Sequence, residues 1–269
     1  MRRIFFFILI FLHSYTATAA EITFVDVQGG TGHRNIRLSG VIEEGDADKL
    51  LRTALEDPES FFRSFSIQLS SPGGSVEEAL KIAKIIESAG LIALVSPSET
   101  CASSCFLLFV GAQVRANLGS ILIHRPYFSA DAVSPDVHAA YLARTEHALV
   151  AMRQLLLMKA VPSSLIDKMM SLPSSQAYEL TWQDSMSIAV MNPLVEELAI
   201  NKCGTSNATF YGNLQKNLTC LQESVLVHQK LRFTLQHLGP DRTWQAAQAA
   251  FKLMQAAEQS HGDNPANGP

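Results

Sequence analysis

Along the chain, short apolar runs end in glycine or proline, and stretches of helical periodicity lie between them. Residues 22–27 and 35–41 cluster or alternate apolar side chains and predict two strands, with Gly29, Gly30 and Gly32 forming the turn. Leu50, Leu51 and Leu55 then share one face of a helix that starts near Gly45. Residues 65–69 (Phe-Ser-Ile-Gln-Leu) predict a short strand running directly into Pro72-Gly73-Gly74. Ser75 reads as an N-cap, and Glu78 three residues later completes a capping box. Val76, Ala79, Leu80, Ala83 and Ile86 carry the apolar face of the helix that follows, and Gly90 ends it. Next come a strand over 91–95, an almost wholly apolar helix over 103–111 and a strand over 120–124. A helix with no polar face must be buried.

A long helical stretch over 137–161 and a helix capped by Pro162-Ser163-Ser164 continue the pattern. Residues 180–184 predict a strand end feeding a short helix. Strands alternating with helices across short loops predict an α/β domain with a mostly parallel sheet, spanning 21–195. Beyond residue 195 the character changes. Cys203 and Cys220 bracket a Gly/Asn/Thr-rich segment expected to form a hairpin-like loop. Residues 221–259 are helical with a break at Gly239-Pro240, making 196–260 a mainly helical C-terminal extension, and 261–269 is expected to be a disordered tail.

At the N-terminus, Arg2-Arg3 precede an apolar run over 4–12, and Thr16-Ala17-Thr18-Ala19-Ala20 offers small residues for cleavage before Glu21. That is the pattern of a secretory signal peptide over residues 1–20. The apolar run falls short of the ~20 residues a membrane span needs, so no stable span is expected after cleavage. The chain is therefore expected to be periplasmic or secreted. Export gives the four cysteines meaning, since an oxidising compartment favours disulfides. Cys101 and Cys105, and Cys203 and Cys220, form two local pairs; four cysteines permit three pairings, and local pairing is the expectation. No metal-type spacing accompanies them, and neither a metal nor a cofactor is expected. A net charge of −4 makes nucleic acid an unlikely partner. Two N-x-[ST] sequons, at Asn207 and Asn217, would be glycosylated only in a eukaryotic secretory pathway.

Three short segments carry candidate chemistry. Gly73-Gly74 lies between a strand and a helix start, where backbone N–H groups are free to meet a carbonyl oxygen. Ser103 and Ser104 stand at the entrance to the apolar helix, where a serine is equally a plain N-cap. His124 ends a buried strand and is the best-framed base among the eight histidines. An acyl-transfer site needs these three parts: an oxyanion hole, a nucleophile and a general base.

These segments resemble the Clp protease proteolytic subunit and its relatives in the ClpP/crotonase superfamily, and most of all exported bacterial ClpP-like proteins of unknown function. The resemblance rests on Ser-Pro-Gly-Gly-Ser (71–75), Ala-Ser-Ser-Cys-Phe-Leu-Leu (102–108) with Gly111-Ala112, and Ile-His-Arg-Pro (123–126). It covers roughly residues 35–195. It implies a ββα spiral followed by the helical extension, with Ser103 as nucleophile and His124 as general base. The oxyanion hole would be the N–H groups of Gly73 or Gly74 and of Ser104, with Ser104 as the register alternative for the nucleophile. It also implies a peptide or protein substrate and a possible homo-oligomer. The acidic position of the family is not matched: Ser175-Gln176-Ala177-Tyr178-Glu179 holds no Asp, and Glu179 is the nearest carboxylate. Asp131, Asp136 and Asp167 are alternatives without motif support, as are Lys159 and Lys168 for a Ser/Lys dyad. The reading is an exported serine hydrolase, in all expectation a peptidase. Its rivals are a non-catalytic periplasmic binding or scaffold protein that keeps the fold, and a crotonase-type enzyme acting on acyl-CoA.

Overall fold

A computed structural model describes residues 19–27, 32–126, 135–173, 175–188 and 190–262, with side chains omitted over 135–142 and at a few positions near the C-terminus. Residues 1–18 of the expected signal peptide (1–20), the Gly29-Gly30 turn, Asp131, the side chain of Asp136 and residues 263–269 lie outside the described residues.

The main sheet contains β1 (Glu21–Asp26), β2 (Arg34–Ser39), β3 (Ser64–Ser70), β4 (Ile92–Val95) and β6 (Arg115–Asn117), in the order β1-β2-β3-β4-β6. β1 is antiparallel to β2, and every other pairing is parallel. A second sheet holds β5 (Thr100–Ala102), β7 (Ser120–Ile123) and β8 (Tyr178–Glu179). Three strands of the first sheet run on towards the second. β4 leads to β5 and β6 to β7, while β3 runs past its end so that Ser71 bridges Cys101. The helices α3 (Val76–Ser88), α4 (Cys105–Gly111) and α5 (Pro135–Met158) follow these pairs of strands in turn. The fold is thus an α/β spiral of the ββα type, as the resemblance implied.

The three-residue strands β5 and β6 escaped the sequence reading because they are too short to show a period. So did α2 (Pro58–Arg63), which starts at a proline behind the Asp57 side chain, a cap for the Ser60 N–H.

Helices α3 and α4 pack without a gap. A Cβ on Gly111 would lie 2.7 Å from that of Ala83, so the missing side chain is what lets the two backbones meet. All seven residues of α4 are buried, as its apolar sequence required. The predicted capping box at α3 is only half formed. Ser75 Oγ accepts the Glu78 N–H (3.2 Å), but the Glu78 carboxylate turns away to cap another helix, α1 (Asp46–Glu56). It accepts the N–H groups of Ala47 (2.8 Å) and Gly45 (3.2 Å) and pairs with Lys81. Burial opposes its ionisation, yet the hydrogen bonds from Ala47, Lys81 and Gly45 hold its pKa below the ordinary value.

Past α5 the body adds α6 (Ser163–Ser171) and α7 (Trp182–Ser187), and α8 (Pro193–Cys203) leads into a helical extension, but the segment between Cys203 and Cys220 is not the hairpin-like loop expected. It contains a 3₁₀ turn (Phe210–Asn213) and most of α9 (Leu214–Leu221). Phe210, Leu218 and Leu221 cluster with Ile92 of β4, Ala116 of β6 and Val114 just before β6, and that inward packing overrides the turn-forming composition. Residues 190–191 close the β6 edge through a Val114–Met191 bridge and an Arg115 N–H bond to Val190 O (2.8 Å). The break at Gly239 is present: α10 (Val227–Leu238) ends there and α11 (Pro240–Gly262) begins, running two residues into the expected tail. Both sequon amides are engaged. Asn207 holds Glu196, and buried Asn217 donates to Phe210 O (2.8 Å).

The extension meets the body through a buried lysine. Lys230 on α10 is fully inaccessible, donates to Ser64 O at the start of β3, and lies 5.2 Å from the centre of the Phe61 ring. In its satisfied orientation the Gln222 amide oxygen also accepts from it at 3.2 Å. Burial pushes its pKa down to about 7. Between that value and the ordinary one near 10.5, the unfolded chain binds a proton the folded chain does not. Stability should therefore rise with pH across this window, by up to about 1.4 kcal/mol per pH unit. Denaturant melts from pH 6.5 upward check this. Lys230→Met is expected to flatten the rise, and an unchanged slope in that variant would assign it to another group.

Candidate active site

The register of the second layer sets the site. Ser71 sits beside Cys101, and Cys101 beside Ile121, in neighbouring parallel strands. Beyond these pairs the strands end: Gly73 lies two residues past Ser71, and Ser103 follows Ala102, which pairs with Leu122. His124 follows Ile123 directly. The glycine turn, the serine and the histidine thus leave three adjacent strands at the same end.

Gly73 and Ser103 are in closest approach. A Cβ on Gly73 would fall 2.6 Å from Ser103 Cβ and 2.9 Å from Ser104 N, and Gly73 has φ +94°. Ser103 itself has φ +57°, a left-handed conformation that costs an L-residue about 1–2 kcal/mol. Such strain persists only where surroundings enforce it. Here the Ser103 N–H donates to Leu122 O (2.9 Å) and its carbonyl accepts from Phe106 N–H (3.0 Å). The Cys101–Cys105 disulfide, with Cα atoms 5.3 Å apart and both cysteines inaccessible, closes the loop around Ser103 and Ser104. Cys203 and Cys220 form the second disulfide, so both pairings are the local ones.

Peptide planarity fixes the donors. Gly73 N–H donates to Ser71 Oγ (3.0 Å), and Gly73 C=O accepts from Ile42 N–H (2.9 Å). Across a trans peptide the N–H points opposite the C=O, so Gly74 N–H points away from Ile42. Neither Gly74 N–H nor Ser104 N–H has an acceptor among the described residues. Two unpaired backbone donors thus lie on either side of the contact between Gly73 and Ser103. Gly73 and Gly74 were offered as alternatives on the sequence, and the hydrogen bonding leaves Gly74 as the available donor.

Ser103, Ser104 and His124 line one small cavity, about 20 Å³, with room for a single water molecule. Val76, Phe106, Leu107, Pro126, Met152 and Met169 complete its walls. Ser103 is half-buried, whereas Ser104 is 3 % exposed and its Oγ has no hydrogen-bond partner among the described residues. The His124 Nδ1 lies 2.9 Å from Arg125 O. A carbonyl oxygen only accepts, so in this contact Nδ1 carries a proton, and in the neutral ring the lone pair is then on Nε2.

The other candidates are engaged elsewhere. Glu179 faces Leu122 across the antiparallel β7–β8 pair, and its carboxylate accepts from Ser120 Oγ (2.6 Å). Asp167 pairs loosely with Arg153 (3.9 Å). Lys159 binds Glu87 (2.5 Å), and Lys168 lies over the Tyr178 ring, 3.2 Å from its centre. None of these lines the cavity. The sequence reading missed Met152 and Met169 as walls of the site, because apolar positions in helices carry no mark of what they face.

No family model matches the chain, and no curated protein matches it. Solved structures do. A mutant of the membrane-bound stomatin-specific protease 1510-N aligns at 16% identity and a TM-score of 0.41, over 61% of this chain and 82% of that one. A ClpP1 mutant from Listeria monocytogenes aligns at 16% identity and a TM-score of 0.36, over 56% and 85%. At these scores the likeness bears on neither the site nor the activity, which rest on the geometry.

The approach of Gly73 to Ser103 has a direct consequence for stability. Gly45 also has a positive φ (+97°), but a Cβ there meets nothing within 4 Å. Gly45→Ala should cost about 1–2 kcal/mol from backbone strain alone. Gly73→Ala should cost about 2–5 kcal/mol, because overpacking adds to the strain. Urea denaturation of the two variants side by side measures the difference, and equal losses would mean that the site relaxes around the added methyl.

Proposed function

We propose that the chain is an exported serine hydrolase of the ClpP type, cleaving peptide bonds through an acyl-enzyme on Ser103. The observation that carries this reading is the left-handed turn at Ser103, held beside a glycine whose neighbour offers an unpaired N–H. A nucleophile presented on a strained turn next to backbone donors is what acyl transfer requires.

In the proposed reaction Ser103 Oγ attacks the substrate carbonyl while its proton passes to His124 Nε2. The carbonyl oxygen takes the negative charge between the N–H groups of Gly74 and Ser104. His124 then returns the proton to the leaving amine as the C–N bond breaks. Water, deprotonated by the same nitrogen, releases the acid. The Arg125 carbonyl holds His124 in the tautomer this needs, a task a carboxylate performs in a triad. The substrate is an extended peptide beside the glycine turn, and Met152 and Met169, flexible side chains, are the walls that move to admit it. The two disulfides fit an oxidising compartment, and among the described residues no helix is long and apolar enough to cross a membrane. Self-association is part of the proposal by resemblance alone.

One observation favours the rival reading, a peptide-binding protein without turnover: the cavity holds no more than a water molecule. Labelling of the purified protein with a fluorophosphonate separates the two. Labelling is expected in the wild type, lost in Ser103→Ala and His124→Ala, and kept in Ser104→Ala. Absence of label from folded, oxidised wild type would favour the binding protein.

Two further variants test the details. Glu179→Gln should slow labelling by about tenfold or less, against the ~10⁴ in turnover lost with a true triad acid. A loss of the larger size would return Glu179 to the site as a catalytic partner. Reduction of the Cys101–Cys105 disulfide should slow labelling as the loop around Ser103 is released, and reduced protein that labels at the full rate would show that the hydrogen bonds alone hold the turn.

A further inference from the structure

Ser71 is 2 % exposed, and each of its polar groups is engaged with a different part of the site's frame. Its N–H donates to Thr100 O (2.9 Å) and its C=O accepts from Ala102 N–H (2.8 Å), the two ends of β5, the strand that delivers Ser103. Its hydroxyl donates to Gly40 O (2.6 Å), in the chain just after β2. The same oxygen accepts the Gly73 N–H at 3.0 Å. Gly40 is held in turn, since its N–H donates to Ser70 O (3.1 Å). The residue before Ser71 is braced as well: Ser70 Oγ donates to Glu99, and Glu99 pairs with Arg37 (2.7 Å).

A serine beside a proline is not needed for this turn to form, since a glycine pair can turn without help. Its hydroxyl does something else. It is one donor and one acceptor joining a backbone carbonyl on one strand to a backbone N–H in the glycine turn. With that oxygen absent, the Gly73 N–H would be left buried without a partner, and a peptide flip is the cheapest way for a glycine to recover one. A flip there would disturb the neighbouring peptide that carries Gly74 N–H.

We infer that Ser71 is a positioning residue of the oxyanion hole, its hydroxyl fixing the Gly73 peptide so that Gly74 N–H stays aimed at the reacting carbonyl. The inference rests on the proposed serine-hydrolase reading. Ser71 itself touches no reacting atom. It acts through Gly73, and it also anchors the glycine turn to the strand bearing the nucleophile, so the hole and Ser103 keep a fixed separation.

The expected signature is a loss in the chemical step with little change in probe binding. Ser71→Ala should lower the maximal rate of fluorophosphonate labelling by about 10- to 100-fold, less than the ~10²–10³ lost when an oxyanion donor is deleted outright. The probe concentration giving half-maximal rate should change little, and so should the pH at which labelling rises, because His124 and Ser103 are untouched. Ser71→Thr, which keeps the hydroxyl, should recover part of the rate. A purely structural role would instead shift the melting temperature and the half-maximal concentration together, and the hydroxyl-bearing variant would not differ from alanine. Ser71→Ala that labels at the wild-type rate, or loses rate only in proportion to folded fraction, overturns the inference and leaves the serine-hydrolase reading standing. Wild type that does not label at all overturns both.

Discussion

A single methyl group cannot be inserted between Gly73 and Ser103, and the layout around the site follows from that closeness. Two backbones meet this tightly only if one residue lacks a Cβ and the other turns its own aside. Glycine at 73 meets the first condition and the left-handed conformation of Ser103 the second. The strained serine is affordable because three independent constraints hold it: the hydrogen bond to Leu122, the helix it starts and the disulfide across it. The same closeness passes to the helices behind. α3 leaves the glycine turn and α4 leaves the serine turn, and Gly111 against Ala83 keeps their backbones in contact. Glycine turn and serine are therefore fixed to each other twice, once at the site and once behind it.

The extension shapes this body from outside. It covers β4 and β6 with a second apolar cluster, while residues 190–191, just before it, close the β6 edge, where an unpaired strand would otherwise invite another chain. It also buries Lys230, whose acceptors among the described residues, Ser64 O and the Gln222 amide oxygen, are neutral. An ammonium in that position costs more than a methionine of similar length would, so the contact is bought with stability that pH can modulate. Cys203–Cys220 lies within the extension and so holds its local shape, whereas Cys101–Cys105 acts on the site. The two bridges do different work.

Much of this was legible in the residues, for particular reasons. The parallel α/β layout followed from apolar strands alternating with an amphipathic α3 and an all-apolar α4, patterns long enough to show their period. Ser103, Ser104, His124 and the glycine pair were picked out because each ends a strand or starts a helix, where side chains and free N–H groups collect. What stayed hidden depended on contacts between distant segments. Glu78 carries the spacing of a capping box, yet Gly45 and Ala47, more than thirty residues earlier, capture its carboxylate. The Gly/Asn/Thr-rich run between Cys203 and Cys220 has turn composition, yet Phe210 and Leu218 have an apolar surface to meet and the run becomes helical. Whether Gly73 or Gly74 donates could not be decided from Gly-Gly, because the answer lies in the Ser71 hydroxyl and the Ile42 N–H.

The oxyanion side of the proposed site stands on the backbone alone. A carboxylate in a triad selects the histidine tautomer and stabilises the imidazolium that forms when the serine loses its proton; the Arg125 carbonyl contributes to the first of these tasks through its contact with Nδ1. The oxyanion makes a different demand. On the proposed reading its charge is met by two N–H donors, Gly74 and Ser104, which need no side chain and no charge to act, only a fixed direction. That direction is set by hydrogen bonds within the backbone frame: Ile42 N–H holds the Gly73 carbonyl, and the Ser71 hydroxyl holds the Gly73 N–H. The oxyanion hole is therefore only as well aimed as the segment from Ser71 to Gly74 is rigid.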